Sequence, residues 1–406
     1  MFSLHERTQR KVCRTVFVAL CAVPTLFTLC WLIYFHRPWQ EQDWRRGLEN
    51  SLHLRVEVAQ VSAPRPLERV IESVKLATLQ AAEPLGEVQG LKIVAPDSLA
   101  ISSAMVHWDQ LAAITHAGQV WIAGESFRLT RWRIARLTLK NSSGATCDLH
   151  DLRSESKRGP QGVRQWTIQA KHDGKPVRLL IERHPDGIFH TTIDAQQAAL
   201  PAWLLAEIPG GNRWESAHFT GAIRLHQHRS QLAGELRGQV DGIDTVQWLG
   251  SDLLQTTAKL QLDRLAWRDN RTEAVQGSLE ASGGQISHDF LTLLKEKFLC
   301  TIALNQTQLS DRTAFQPLDK FRCQFQLTNE GLSIKGQYPW GETENGCVIT
   351  TAGKPLVSIP GVPTLPIAQL VQLLSPHDPY KIPANREATN MAAKLPLPAA
   401  EPTAQK

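Results

Sequence analysis

The sequence of 406 residues lacks the short motifs that mark most catalytic sites. It contains no GxSxG, HExxH, GxxxxGKS/T or GxGxxG pattern, so serine-hydrolase, zinc-protease and nucleotide-binding sites are not indicated. Carboxylate pairs such as Asp148 with Asp151 lie in polar, turn-like runs, where solvation is the ordinary explanation. We therefore expect a protein that is not an enzyme and has neither catalytic residues nor a cofactor.

Cysteine is scarce, and no two of the seven cysteines form a CxxC pair, so the usual zinc and redox motifs are not supported. Three of them belong to the N-terminal segment. The other four could form two disulfides in any of three pairings, or remain as buried free thiols. These four are Cys147, Cys300, Cys323 and Cys347.

Histidine offers one candidate metal pair, His226 and His228, because residues at i and i+2 on a strand face the same way. The flanking residues supply no Asp, Glu or Cys ligand, and RLHQHRSQL is typical of a hairpin tip between two strands. We interpret the pair as a solvated tip and predict no metal site.

Charged side chains are absent from residues 16–35, VFVALCAVPTLFTLCWLIYF. As a helix these 20 residues would span roughly 30 Å, the thickness of the hydrocarbon core of a membrane. The run is longer than a signal-peptide core and no small-x-small site follows it, which favours an uncleaved anchor. The predicted anchor includes Leu20, Pro24, Leu29 and the interfacial aromatic residues Trp31 and Tyr34.

The net charge of +5 is concentrated before the anchor, where residues 1–15 carry four basic side chains against Glu6. This bias favours a single pass through a membrane with the N-terminus inside and the body outside. The remainder has too small a basic excess to indicate nucleic-acid binding.

After the anchor, alternating apolar and polar residues predict strand after strand, with few helix-period segments. HPDG at 184–187 and TNEG at 328–331 predict hairpin turns, and short helices are expected at 200–208, 287–298 and 366–374. The predicted fold is mainly β: a transmembrane helix followed by an extended, curled antiparallel sheet, either groove or sandwich, with a few short helices.

Five regions are expected. Residues 1–15 form a basic cytoplasmic N-terminus, 16–35 the anchor, 36–218 a first β-rich region, 219–375 a repetitive β region, and 376–406 a disordered tail rich in Pro and Ala. Within the fourth region, two modules of roughly forty residues each predict strand, polar tip, glycine-interrupted strand and short helix.

Four stretches resemble the AsmA-like envelope proteins, relatives of TamB: LHLRVEVAQVSAPRPLERVIESVKL, GELRGQVDGIDTVQWL, ISHDFLTLL and FQLTNEGLSIKGQ. In that family a helix is fixed in the inner membrane, and a long curled sheet in the periplasm has an apolar inner surface. The resemblance implies a role in lipid transport or outer-membrane assembly, with the inner membrane, a phospholipid ligand and envelope proteins as partners.

The strand QLAGELRGQV, residues 231–240, places leucine, glycine and valine on one face, where glycine would let an acyl chain approach the backbone. The candidate lipid-facing residues are Leu232, Gly234, Leu236, Gly238, Val240, Leu260, Leu262 and Leu279. The same glycines also fit bulges in a closed sandwich. The alternative functions are a non-catalytic envelope scaffold for a protein partner and, less favoured, a cell-wall carbohydrate-binding module or hydrolase.

Overall fold

The structure is a computed structural model in which the described part of the chain is mainly β, with a large mostly antiparallel sheet and few helices. This part of the predicted fold is confirmed. The residues described are 6–35, 39–52, 54–65, 68–78, 84–95, 98–110, 113, 118, 131–206, 214, 216–228, 231–249, 253–269, 271–298, 300–304, 314–340, 343–359, 364–367 and 394–396.

Two compact units divide the chain, a first unit of residues 1–155 and a second unit of residues 156–406. The predicted regions 36–218 and 219–375 follow composition and repetition, and they stay a prediction. Most of the predicted disordered tail lies outside the described residues, as does most of the predicted helix 366–374.

Helices begin the first unit. They are α1 (Glu6–Phe17), a π-helical turn (Val18–Ala22), α2 (Val23–Phe35) and α3 (Trp39–Leu52). Within the described part of the chain, no single helix combines the length and the apolar character needed to cross a membrane.

Six strands follow α3 in the order β1-β2-β3-β4-β5-β6. Neighbours are antiparallel except β4 and β5, which run parallel. The strands are β1 (Arg55–Arg65), β2 (Glu68–Ala77), β3 (Pro84–Ala95), β4 (Ser98–His107), β5 (Arg131–Lys140) and β6 (Thr146–Arg158).

The second unit contains a longer antiparallel run, β7-β8-β9-β11-β12-β14-β15-β19. Its strands are β7 (Arg164–His172), β8 (Lys175–Arg183), β9 (Phe189–Asp194), β10 (Leu200–Pro201), β11 (His218–His228), β12 (Gln231–Asp244), β13 (Leu254–Gln255), β14 (Thr257–Arg268), β15 (Arg271–Ser282), β16 (Gln285–Ser287), β17 (Thr301–Ile302), β18 (Phe315–Pro317), β19 (Lys320–Thr328), β20 (Gly331–Gly336), β21 (Tyr338–Trp340), β22 (Thr343–Thr351), β23 (Lys354–Ser358) and β24 (Thr364–Leu365). Strands β13, β16 and β18 form a separate small sheet.

Two helices follow hairpins of this sheet, and the predicted repetition is visible in them. Hairpin β11–β12 leads into α4 (Thr245–Leu249), and hairpin β14–β15 leads through β16 into α5 (His288–Lys297). Ser287 caps α5 as predicted, because its hydroxyl accepts a hydrogen bond from the Phe290 N–H at 3.2 Å.

The predicted turns are also confirmed. HPDG joins β8 to β9, with the Gly187 N–H donating to the His184 carbonyl at 3.0 Å and Gly187 at a φ of 84°. TNEG joins β19 to β20. Residues 207 and 208 of the predicted helix 200–208 lie outside the described residues, and the described part contains the two-residue strand β10 followed by a 3₁₀ turn at Ala202–Leu205.

The predicted curl is wrong, because the sheet is not curled. A sheet can hide its apolar face without curling if other elements of the chain cover that face. In the second unit, residues from α5, the 3₁₀ turn, the small sheet and strands β22 and β23 share one apolar core with β11, β12 and β14.

Candidate functional site

Strand β12 carries five of the predicted lipid-facing residues, and most of them are buried. Leu236 and Val240 are fully buried, Gly234 is buried and Gly238 is half-buried. Leu232, near the start of the strand, is 38% exposed. On β14, Leu260 and Leu262 are buried as well, and Leu279 on β15 is partly buried against the same core.

These side chains contact other parts of the chain rather than an open groove. Leu291 of α5 and Ile286 of β16 are fully buried in the same cluster as Leu236. Strands β22 and β23 add Ile349 and Val357, which are also fully buried. In the second unit, the apolar face identified from the sequence is therefore a packed core.

The glycines of β12 have a packing role. The Trp267 indole lies directly over Gly234, so that a Cβ at position 234 would overlap the ring. Gly238 has a φ of 148° and faces Gly221 across the β11–β12 pair, where the two backbones approach closely. The β12–β14 register shifts beside Gly238 and again before Ile243, as β-bulges do. These contacts favour the alternative in which the glycines mark bulges and bends of a closed packing, rather than places where an acyl chain approaches the backbone.

The first unit has an apolar face of a different kind. In each of its six strands, two apolar residues three positions apart lie on that face, and the strand register skips one of the two residues between them. The pairs are Val58 and Val61, Ile71 and Val74, Val88 and Leu91, Ile101 and Ala104, Ile134 and Leu137, and Leu149 and Leu152.

The residues that the strand register skips form one row across the sheet: Gln60, Glu72, Gly90, Ser102, Ala135 and Asp151. Gln60, Gly90 and Asp151 have positive φ values of 52°, 62° and 53°. A bulge reverses the alternation of side chains, so aligned bulges keep the apolar residues on one face along the full length of every strand. The signal in the sequence is that the spacing between apolar residues of one face changes from two positions to three at one point in each strand. The strict period-2 analysis missed this change.

Helix α3 covers one part of this face. Leu48 packs against the cluster formed by Val56, Ile71 and Val74, all of which are buried. Glu49 also links helix α3 to strand β1, because its carboxylate accepts a hydrogen bond from the Val56 N–H at 3.2 Å.

Further along the sheet, the apolar side chains remain partly exposed. They include Leu91 and Ile93 on β3, Leu99 and Ile101 on β4, and Trp132 and Ile134 on β5. This partly exposed apolar surface of β3, β4 and β5 replaces the face of β12 as the candidate lipid-binding surface.

The opposite face of the first unit is polar and internally paired. The Arg136 guanidinium donates to Asp148 Oδ2 at 2.7 Å, and the Thr138 hydroxyl donates to Asp148 Oδ1 at 2.6 Å. These bonds, with Arg136 the larger cause, lower the pKa of Asp148. On the same face Arg133 contacts Asp151 at 3.1 Å. These carboxylates belong to strand β6 and are held in ion pairs, so the prediction that Asp148 and Asp151 lie in a turn-like run is wrong.

The predicted anchor residues lie in the N-terminal helices. Leu20 and Leu29 are 72% and 55% exposed, and Pro24 lies in the first turn of α2, directly after the π-helical turn. Trp31 and Tyr34 belong to α2.

The four body cysteines are buried, and none of them is joined in a disulfide in the described part of the chain. Burial raises the pKa of the Cys300 thiol to about 11 and that of Cys323 to about 12, and it raises the pKa of Cys347 as well. These cysteines therefore behave as apolar core residues rather than as disulfide partners or nucleophiles.

His226 lies within β11 and is paired with strands on both sides, so the prediction that it belongs to the hairpin tip is wrong. Its exposed side chain lies beside His190 of the neighbouring strand β9. The two rings are 4.6 Å apart between centroids and meet edge to face. Burial, with smaller contributions from His226 and His184, lowers the pKa of His190. Sequence reasoning considered only the neighbours of His226 along the chain and therefore missed those brought in by the sheet.

The polar face of the second unit also bears a depression of about 410 Å³. Its lining includes the charged side chains of Arg224, Glu235 and Arg237, which disfavour the binding of an acyl chain.

The fold thus defines the class of protein: a largely antiparallel β protein of two units, with helices before the first strand and polar and apolar residues separated onto opposite sheet faces. Comparisons with models of protein families, with curated proteins and with solved structures find no match to this chain. The resemblance to AsmA-like proteins therefore stays a prediction.

Proposed function

We propose that this chain is a membrane-anchored envelope protein of the AsmA-like kind that takes part in lipid transport or outer-membrane assembly by shielding acyl chains. The observation that carries the proposal is the partly exposed apolar face of the first unit, which lies close in sequence to a strongly apolar helical run. This placement moves the lipid-binding surface from β12, where the expected groove is packed, to strands β3, β4 and β5.

The anchor is supported by the exposure of the N-terminal helices. Among the described residues, eight of the ten exposed large apolar side chains lie between Val16 and Leu29. Helix α1, the π-helical turn and α2 follow one another without a gap from Glu6 to Phe35. In water such exposure is costly at about 25 cal/mol for each Å² of apolar surface, whereas in lipid it is favourable.

Local hydrogen bonding around Pro24 supports the same proposal. The Thr25 and Thr28 hydroxyls donate to the carbonyls of Cys21 and Pro24 at 2.6 and 2.7 Å. Transmembrane helices tolerate proline where threonine hydroxyls and local π adjustments occur nearby, and both features lie beside Pro24. Taken together, the run 16–35 is long enough to cross the membrane once, with the N-terminus in the cytoplasm and the body in the periplasm.

Membrane extraction tests the anchor. The full chain should remain in the membrane fraction at alkaline pH, and replacing both Leu20 and Leu29 with lysine should release it. Leu232→Lys is the matched control, since Leu232 is an exposed leucine of the body. Release of the unmodified chain would refute membrane anchoring.

Site-specific photocrosslinking in cells tests the lipid proposal. We expect a photoreactive phenylalanine at Ile101 to form phospholipid adducts, identified by mass spectrometry of the crosslinked peptide. The same residue at Ala100, on the opposite face of β4, should form none, because that face is polar. Equal lipid labelling at both positions, or none at either, would overturn the proposal.

A non-catalytic scaffold is the second candidate, and the packed core of the second unit favours it. A unit whose apolar face is filled by its own side chains has only polar faces and strand edges to offer, and these suit a protein partner. Protein adducts at Ile101 without lipid adducts would favour the scaffold.

A further inference from the structure

Four side chains with metal-binding or hydrogen-bonding groups are brought together on the polar face of the second unit by the strand register. Glu182 of β8 lies directly opposite His190 of β9, and His190 lies directly opposite His226 of β11. Residues paired across antiparallel strands project from the same face, so their side chains stand side by side. On the other side of Glu182, Gln165 of β7 completes the row.

A further imidazole reaches the row from the hairpin turn. His184 begins the turn that joins β8 to β9, and its ring centroid is 4.7 Å from that of His190. The turn is fixed by hydrogen bonds between His184 and Ile188 at 2.9 Å and between Ile188 and the Asp186 carboxylate at 3.1 Å. His184 is thus held at the row by defined backbone geometry.

We propose that Glu182, His184 and His190 form a binding site for a divalent transition-metal ion, with Zn²⁺ as the best match. Their ligand atoms all lie within 4.8 Å of one another, and the three side chains are half-buried. Zn²⁺ bonds of about 2.0–2.2 Å to histidine nitrogen and carboxylate oxygen place ligands about 3.3 Å apart, so small side-chain rotations close the site.

The surroundings supply the support that such sites require. The Gln165 amide donates to Glu182 Oε1 at 2.7 Å, which orients the carboxylate toward the two histidines. His226 packs edge to face against His190 and limits the rotation of its ring. Two imidazoles and one carboxylate suit Zn²⁺, with one position left for water or a further ligand. The site is independent of the proposed lipid function, because it lies on the polar face of the second unit.

Calorimetric titration of ZnCl₂ into the full chain, purified in detergent with a tag that contains no histidine, tests the proposal. We expect one equivalent to bind in the unmodified protein, and His190→Ala to weaken its affinity by more than about tenfold, the loss that even outer-shell changes cause. His218→Ala is the matched control: it changes an exposed histidine at the other end of β11 and should leave binding unchanged.

A second variant covers the case in which His190→Ala fails to fold. Glu182→Gln conserves size and retains an acceptor for Gln165, and it should weaken Zn²⁺ binding while leaving the circular dichroism spectrum unchanged. Absence of a stoichiometric equivalent in the unmodified chain, or equal affinity in folded Glu182→Gln and in the control, would overturn the proposal. Bound Co²⁺ should also show the strong visible absorption of four-coordinate geometry, and a spectrum of six-coordinate aqueous Co²⁺ would count against it.

Discussion

Replacing Leu236 with alanine is expected to destabilise the second unit by about 3 kcal/mol, because its side chain is fully buried in a packed core. Truncation of buried leucines costs roughly 2–5 kcal/mol, which combines the lost burial with the cavity left behind. For a unit of this size, each kcal/mol lowers the melting temperature by about 2–4 °C, so a decrease of about 6–12 °C should follow. Urea unfolding followed by tryptophan fluorescence measures it directly, since Trp214 and Trp267 lie in the same core.

Leu232→Ala is the matched control on the same strand and the same face. Leu232 is 38% exposed, so its truncation should change the free energy of unfolding by no more than about 0.5 kcal/mol. If Leu236→Ala behaves like this control and instead reduces bound phospholipid, the core argument is wrong and β12 lines a lipid groove after all. The experiment therefore distinguishes a packed face from a ligand-binding face at a single residue.

Three further predictions concern single residues elsewhere. Because burial raises the pKa of Cys323 to about 12, Ellman's reagent at pH 8 should leave this thiol unmodified in the folded chain and react with it in urea. The folded pKa of Asp148 is lowered, so its contribution to stability is present above the unfolded value of about 3.9 and is lost as pH falls through the lower folded value. Asp148→Asn should therefore flatten the acid limb of the stability curve measured by urea unfolding, and an unchanged limb would contradict the ion-pair argument. Gly90→Ala should cost more than Gly174→Ala: both glycines have positive φ, which costs roughly 1–2 kcal/mol for alanine, but only at Gly90 would the Cβ overlap a neighbouring side chain. Equal decreases in the melting temperatures of Gly90→Ala and Gly174→Ala would contradict the overlap at Gly90.

Local features of the fold were predictable from the sequence because they depend on neighbouring residues. Alternation in QLAGELRGQV identified β12 and its inward face, Asp-Gly chemistry identified the turn at 184–187, and Ser287 marked the start of α5. The repeated hairpin-and-helix module was visible for the same reason. Each of these signals lies within a window of about forty residues.

The burial of the β12 face was not predictable in the same way. An apolar strand face predicts that something covers it, but the alternation is the same whether the cover is a lipid, a second sheet or a helix. Here the cover includes Leu291 from α5 and Val357 from β23, which lie 55 and more residues away in sequence from Leu236. Only the assembled core distinguishes these outcomes.

The proposed metal site was not predictable from the sequence for the same reason, because its ligands come from different strands. This also explains why the sequence argued against a metal. His226 has no acidic neighbour along the chain, yet the register places Glu182 and His190 on the two preceding strands of the sheet. In an antiparallel sheet, the register decides which residues of two strands lie opposite each other, and a slip of one residue would turn every side chain to the other face. That register is not evident from either strand alone. The tight HPDG turn fixes that register for β8 and β9. A hairpin turn recognised in the sequence therefore carries more information than its own four residues: counting outward from it pairs Glu182 with His190, and that pair already supplies two of the three proposed metal ligands.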